Sequence, residues 1–270
     1  MFEFLQEPFM QYAVILGILL AASSAFLSPF LVLNNQSMIA DGLSHVAFSG
    51  IIFGLLFLNQ PIYFAIPFTA IAAILITWLS EQKMIQNDSA IAVITAFFLA
   101  IGLITVNVSS GFNISIDTLL TGDILLSSKD NVYIAAILFI VVFIFIILNY
   151  RKLLSSTYDP TFAKVSKVKH SLLKYCLAIL TAIFVTIGLR IAGMLLISAF
   201  LVFPALIASQ FAKSFKQTLI YGFIIVVLFS FIAIGISYEF DIPTGATIVV
   251  IYTIVLALSI IYNRFFHKTN

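Results

Sequence analysis

The sequence predicts an all-α fold, a polytopic helical membrane protein with eight to nine transmembrane helices. Three observations carry this. Of 270 residues, 62% are hydrophobic and 9% are charged, and the mean hydropathy is +1.18. Apolar runs long enough to cross a hydrocarbon core of about 30 Å recur along the whole chain. They do not break into alternating ten-residue segments, as a transmembrane barrel would require.

In order, the apolar runs predict spans near 12–33, 38–58, 62–80, 90–108, 131–150, 171–190, 193–211, 217–237 and 245–263. The first has no basic segment before it and no small-residue cleavage pattern after it, so it reads as a retained span. Connections such as Asn34-Asn35-Gln36 and Asn59-Gln60-Pro61 leave no room for a soluble domain. Residues 1–270 are therefore expected to form one transmembrane domain.

Orientation follows from the basic residues. Arg151, Lys152, Lys164, Lys167, Lys169 and Lys174 share one connection, which is expected to be cytoplasmic. Alternation from there puts Arg190 outside, Lys213 and Lys216 inside, Glu239 and Asp241 outside, and the C-terminus inside. The first half is less constrained. Segment 109–128, with Asp117 and Asp123, is too polar for an ordinary span. If it stays outside, Lys83 is inside and the N-terminus outside; if it crosses, the first half inverts.

Several chemistries are excluded. There is no G-x-x-x-x-G-K-[ST] loop, no H-E-x-x-H and no G-x-S-x-G, so neither a P-loop nucleotide site nor hydrolytic machinery is expected. The single cysteine, Cys176, rules out an intramolecular disulfide and a Cys-based zinc site, and reads as a small core residue. Of three histidines, His170 and His267 fall near span ends among basic residues, where a solvated role is expected. Pro204 lies within an apolar run and should kink its helix.

The remaining histidine is different. In Asp41-Gly42-Leu43-Ser44-His45 a carboxylate and an imidazole stand one helical turn apart. Residues four apart share a face, with Cβ atoms about 6 Å from each other, so the pair can hold one cation. An Asp near the middle of a span costs about 2.5–3.5 kcal/mol. The alternative, equally weighted from the residues alone, is a helix-start Asp that caps the span while His45 faces a neighbouring helix.

A second polar stretch lies at about 155–169. Asp159 is placed to cap a helix that Pro160 begins, and Phe162 and Val165 give that helix a short apolar face. It can insert in a groove of a partner protein or lie on anionic lipid. The local sequence leaves both open.

Four motifs in order carry a family resemblance. They are Met38-Ile39-Ala40-Asp41-Gly42-Leu43-Ser44-His45 through Gly50; Leu119-Leu120-Thr121-Gly122-Asp123-Ile124-Leu125; Tyr158-Asp159-Pro160-Thr161-Phe162-Ala163; and Gly193-Met194-Leu195-Leu196 to Phe203-Pro204-Ala205 with Ser237-Tyr238 through Pro243-Thr244-Gly245-Ala246. With them the chain resembles the membrane permease of ABC-type manganese, zinc or iron importers, the metal-uptake ABC-3 family. It departs from the family's pattern at Ser166, where Gly is frequent, and at Asn34 and Asn35, where basic residues are.

The resemblance implies a type II importer-like permease in the cell membrane. It implies a second copy of the chain, a cytoplasmic ABC ATPase, an extracellular or periplasmic metal-binding receptor and surrounding lipid as partners, and no nucleic acid. No cofactor would be permanently bound, and the divalent ion would be the substrate. Asp41 and His45 would be the metal site, and Asp159, Pro160, Phe162 and Ala163 would couple to the ATPase. Such a nitrogen and oxygen donor set suits Mn²⁺, Zn²⁺ or Fe²⁺. The alternative is a secondary cation-coupled transporter relaying protons or ions through Asp41 and His45, although no internal repeat of the pair is present to support it. An intramembrane metalloenzyme would need more ligands than one carboxylate and one imidazole.

Overall fold

A computed structural model describes residues 7–57, 61–82, 86–108, 124, 128–159, 161, 165 and 169–266. Among these, nine α-helices form: α1 (Pro8–Leu33), α2 (Ile39–Phe57), α3 (Pro61–Glu81), α4 (Asn87–Val108), α5 (Lys129–Tyr158), α6 (His170–Ala192), α7 (Met194–Ser209), α8 (Phe215–Phe240) and α9 (Thr244–Phe266). Eight are long and apolar enough to cross a membrane, as the sequence predicts. The exception is α7. Its 16 residues reach only about 24 Å at 1.5 Å per residue.

Two helix ends differ from expectation. Helix α5 continues to Tyr158, well past the predicted end near 150. Helices α6 and α7 are separated by Gly193 alone, whereas a regular antiparallel helix pair needs a loop of about 2–5 residues. Gly193 has φ 82° and ψ 164°, a region open essentially only to glycine. The break is therefore written into the sequence by one residue.

The chain divides into two compact units. The first comprises Met1–Val32, Thr121–Leu148 and Ile191–Asn270, hence most of α1 and α5 with α7, α8 and α9. In it Phe26 packs edge-on to Phe143 at 5.3 Å, and Phe30 meets Phe215 at 4.9 Å. Pro204 sits inside α7, and the next amide, Ala205 N–H, donates to Ser28 Oγ of α1 at 3.1 Å. A neighbouring serine is a standard way to satisfy a helix that proline disturbs within a membrane. Tyr252, fully buried, bonds Ser230 Oγ at 2.6 Å and donates to the Val226 carbonyl at 3.0 Å, fastening α9 to α8. The turn between these helices is closed by Ser237, which donates to the Ile242 carbonyl at 2.6 Å and bonds Thr244 at 2.8 Å. That part of the fourth motif builds a hairpin.

The second unit comprises Leu33–Leu120 and Asn149–Arg190. Helix α2 is its centre, packed by α3 and α4. A Cβ on Gly50 would stand 2.9 Å from the Ala65 Cα, so α2 and α3 touch backbone to backbone. Ser49 donates to the Phe98 carbonyl of α4 at 2.8 Å. One end of this unit is tied by polar groups. Asn87 Nδ2 donates to the Asn34 carbonyl at 2.9 Å, and Asn34 Nδ2 lies 3.5 Å from Thr157 Oγ1. Glu81 accepts from Ser171 Oγ at 2.8 Å and from Tyr175 Oη at 3.2 Å. Asn35 turns the chain there with φ 54°, a left-handed conformation that asparagine tolerates.

Candidate metal site and coupling segment

Helix α2 begins at Ile39, so Asp41 stands in its first turn and His45 in its second. This corrects the mid-span placement on which the larger desolvation cost was reckoned. Near a helix start a carboxylate is favoured by the macrodipole, by about 0.3–1 kcal/mol. Asp41 does not cap the helix. It lies within the helical residues, and the Gly42 N–H is taken by the Met38 carbonyl at 3.1 Å. No hydrogen bond joins the side chain of Asp41 or His45 to another described residue, and both are half-buried.

Packing leaves the pair a face of its own. At 3.6 residues per turn Asp41 and His45 lie about 40° apart, and Gly50, which meets α3, lies about 180° from Asp41. Gly42 faces α4, with Ile91 and Thr95 so close that a Cβ would come within 2.6 Å of each. Ser44 is buried and donates to the Ala40 carbonyl at 2.8 Å, so its hydroxyl proton is committed to the backbone. Among the described residues, neither the Asp41 carboxylate nor the His45 imidazole has a hydrogen-bond partner. Among the described residues no group of three or more His, Cys, Asp or Glu is placed to hold an ion. The pair supplies two ligands, with further positions for water or another chain.

The segment expected to couple to an ATPase is described at a few positions. The Asp159 carboxylate accepts from the Thr161 N–H at 3.0 Å, as a residue capping a helix start does; Thr161 and Val165 are helical. Pro160, Phe162 and Ala163 lie outside the described residues, as do Lys83, Asp117, Asp123 and His267. Glu239 and Asp241 are exposed at the α8–α9 turn.

His170 departs from its expected solvated role. It is 8% exposed and its Nδ1 bonds the buried Ser156 hydroxyl, joining the end of α5 to the start of α6. The helix boundary explains this, because α5 runs on past 150 and brings Ser156 alongside. Cys176, read as a core residue, is half-buried. Nor did sequence reasoning find the Glu81–Ser171–Tyr175 cluster. Its residues lie in different spans, and only their polar character near span ends hinted at it.

Among the described residues all regular structure is helical and eight helices are long enough to cross a bilayer, the build of a membrane permease. The chain belongs to the ABC 3 transport family, whose model matches residues 6–263. It is 27% identical to a probable iron transport system membrane protein of Haemophilus influenzae, over 98% of each chain. It is also 27% identical to the manganese import system permease protein ScaB of Streptococcus gordonii, over 93% of this chain and 90% of that one. With the high-affinity zinc uptake system membrane protein ZnuB of Haemophilus influenzae it shares 26% identity, over 92% and 95%. The solved structure of PsaBC from Streptococcus pneumoniae in complex with Fab has the same fold, with a TM-score of 0.85, 24% identity and 99% of each chain covered. The resemblance to permeases of manganese, zinc and iron transporters is borne out.

Proposed function

We propose that this chain is the permease subunit of an ATP-driven importer that carries a divalent transition-metal ion, Mn²⁺, Zn²⁺ or Fe²⁺, into the cytoplasm. The observation that carries the reading is the Asp41–His45 pair on α2, whose side chains have no hydrogen-bond partner among the described residues. A carboxylate offsets the desolvation of a dication and an imidazole adds a nitrogen donor suited to borderline metals. Two ligands per chain hold an ion weakly enough to release it, which a transport site requires. A second copy of the chain would bring a second pair. The full sequence has no P-loop, so ATP hydrolysis falls to a partner subunit docked at the segment after Asp159, and an outer receptor delivers the ion.

Side-chain bonds support one arrangement in the membrane. Asn34 and Glu81 meet Thr157, Ser171 and Tyr175, so the α1–α2 and α3–α4 connections share an end with the basic connection after α5. Phe30, at the same end of α1, meets Phe215 at the start of α8, and Gln210 meets Asn263 near the end of α9. With the basic connection cytoplasmic, the C-terminus is cytoplasmic, and the starts of α1 and α5 are outside. The whole chain then acts as a single permease domain.

The test is uptake of ⁵⁴Mn²⁺, ⁶⁵Zn²⁺ and ⁵⁵Fe²⁺ by cells lacking the gene and complemented with wild type or Asp41→Asn. Wild type restores uptake of one or more ions, and the variant, inserted at equal level, does not. Normal uptake by Asp41→Asn overturns the assignment.

A further inference from the structure

Thr95 on α4 differs from the threonines of the other spans and from Thr105 on its own. Thr69, Thr77, Thr105, Thr181 and Thr186 each donate to the carbonyl four residues before, at 2.7–2.9 Å. Thr95 Oγ1 is buried and has no hydrogen-bond partner among the described residues. A buried hydroxyl left unpaired is a net cost to the fold. This one is turned towards α2. A Cβ on Gly42 would stand 2.6 Å from it, so it is the bare backbone at Gly42 that admits the hydroxyl.

Gly42 decides which member of the Asp41–His45 pair the hydroxyl adjoins. On a helix surface residues three apart are neighbours, with about 5–6 Å between Cβ positions, whereas adjacent residues do not face each other. The neighbour of Gly42 is therefore His45, about 60° away around the axis, and not Asp41, about 100° away. Helical side chains lean towards the N-terminus, which carries the imidazole back over the turn that holds Gly42. The next position along this stripe, Ser49, donates to the Phe98 carbonyl of α4 at 2.8 Å and packs on Gly102. His45 thus stands between two positions that touch α4, and the nearer touches Thr95.

A histidine that binds a metal through one ring nitrogen is usually oriented by donating its other N–H to an acceptor. No such acceptor is bonded to His45 among the described residues. We propose that Thr95 Oγ1 is this acceptor when the ion is bound. It is a positioning residue, fixing the ring so that its unprotonated nitrogen faces the ion beside Asp41. Being enclosed, the hydroxyl holds the ring from behind and does not touch the ion. The inference rests on the reading of Asp41 and His45 as the ion site.

The experiment compares wild type, Thr95→Val, Thr95→Ser and Asp41→Asn in cells lacking the gene. Uptake of ⁵⁴Mn²⁺, ⁶⁵Zn²⁺ and ⁵⁵Fe²⁺ is measured over a range of concentrations at matched membrane levels. Val keeps the branched shape and removes the hydroxyl; Ser keeps the hydroxyl. For each ion that wild type carries, Thr95→Val should raise the half-saturating concentration about tenfold or more, and Thr95→Ser should stay within about threefold of wild type. Purified Thr95→Val, without metal, should melt no lower than wild type, because it loses an unpaired polar group. A hydroxyl with only a packing role would not combine weaker transport with undiminished stability. Unchanged half-saturation in Thr95→Val, a Ser variant as impaired as Val, or a Val variant that melts lower overturns the proposal. If Asp41→Asn carries the ion normally, the ion-site reading itself fails. If Asp41→Asn is inactive while Thr95→Val is normal, only the role of Thr95 falls.

Discussion

Ser171 Oγ donates to the Glu81 carboxylate at 2.8 Å, across 90 positions of sequence. With Tyr175 on the same carboxylate, it makes the first two turns of α6 and the end of α3 one mechanical piece. The start of α6, next to the basic connection, is thereby tied to α3, which packs against the helix that carries Asp41 and His45. Glu81→Gln keeps an acceptor and should melt close to wild type. Glu81→Ala removes it and should cost about 1 kcal/mol, a Tm shift of about 2–4 °C in a chain of this size. A thermal melt of the purified variants in detergent checks this.

Ser156 is the buried partner of His170. Ser156→Ala removes one of the ring's partners in a buried site, a loss of about 1–3 kcal/mol. The opening should be local. Proteolysis between Asp159 and Lys169 should speed up more than global melting changes, as measured by limited digestion of membrane vesicles.

Gly193 tests the break between α6 and α7. With φ 82° and ψ 164°, Gly193→Ala carries about 1–3 kcal/mol of backbone strain. Reduced folded yield is expected, read by fluorescence-detected gel filtration of the tagged protein. Unchanged yield and melting would falsify the account of the junction.

The proposed metal pair predicts strong non-additivity. Asp41→Asn and His45→Ala should each abolish uptake, and the double variant should be no worse, because one missing ligand already ruins a shared site. Asp41→Glu keeps the charge but moves it by about one C–C bond, further than the roughly 0.2 Å that metal distances tolerate, and should transport poorly. Ion uptake at matched membrane levels is the readout.

Sidedness and coupling can be read together in a Cys176→Ser background. Val165→Cys, on a residue 78% exposed, should react only with reagent reaching the cytoplasmic face, and Glu239→Cys only with reagent outside. Ala163→Arg should release the co-purifying ATPase while leaving the permease inserted. If the ATPase still co-purifies and transport is normal, the segment lies on lipid instead.

Much of this was legible because a bilayer imposes a simple code. Length and apolarity alone mark spans, and eight of nine helices follow from them. The Asp41–His45 pair was legible for the same reason, since two polar side chains four apart stand out in an apolar run. What the sequence hid was long-range. Nothing local says that Ser171 meets Glu81, or that Ala205 meets Ser28; these pairings appear only when the helices are assembled. The buried state of His170 was missed because α5 ends at Tyr158, where the chain has already become polar, so hydropathy stops short of the true end.

Ser28 and Ala205 are separated by 177 positions, and that interval is a statement about time. During synthesis α1 enters the bilayer long before α7 leaves the ribosome. When α7 emerges, short and interrupted by Pro204, the hydroxyl that completes its backbone is already waiting on a membrane-inserted neighbour. Biogenesis is therefore ordered, with α1 serving as the template on which the second half is received. Chains that lose α1 should fail at the insertion of α7, several helices after the deletion itself.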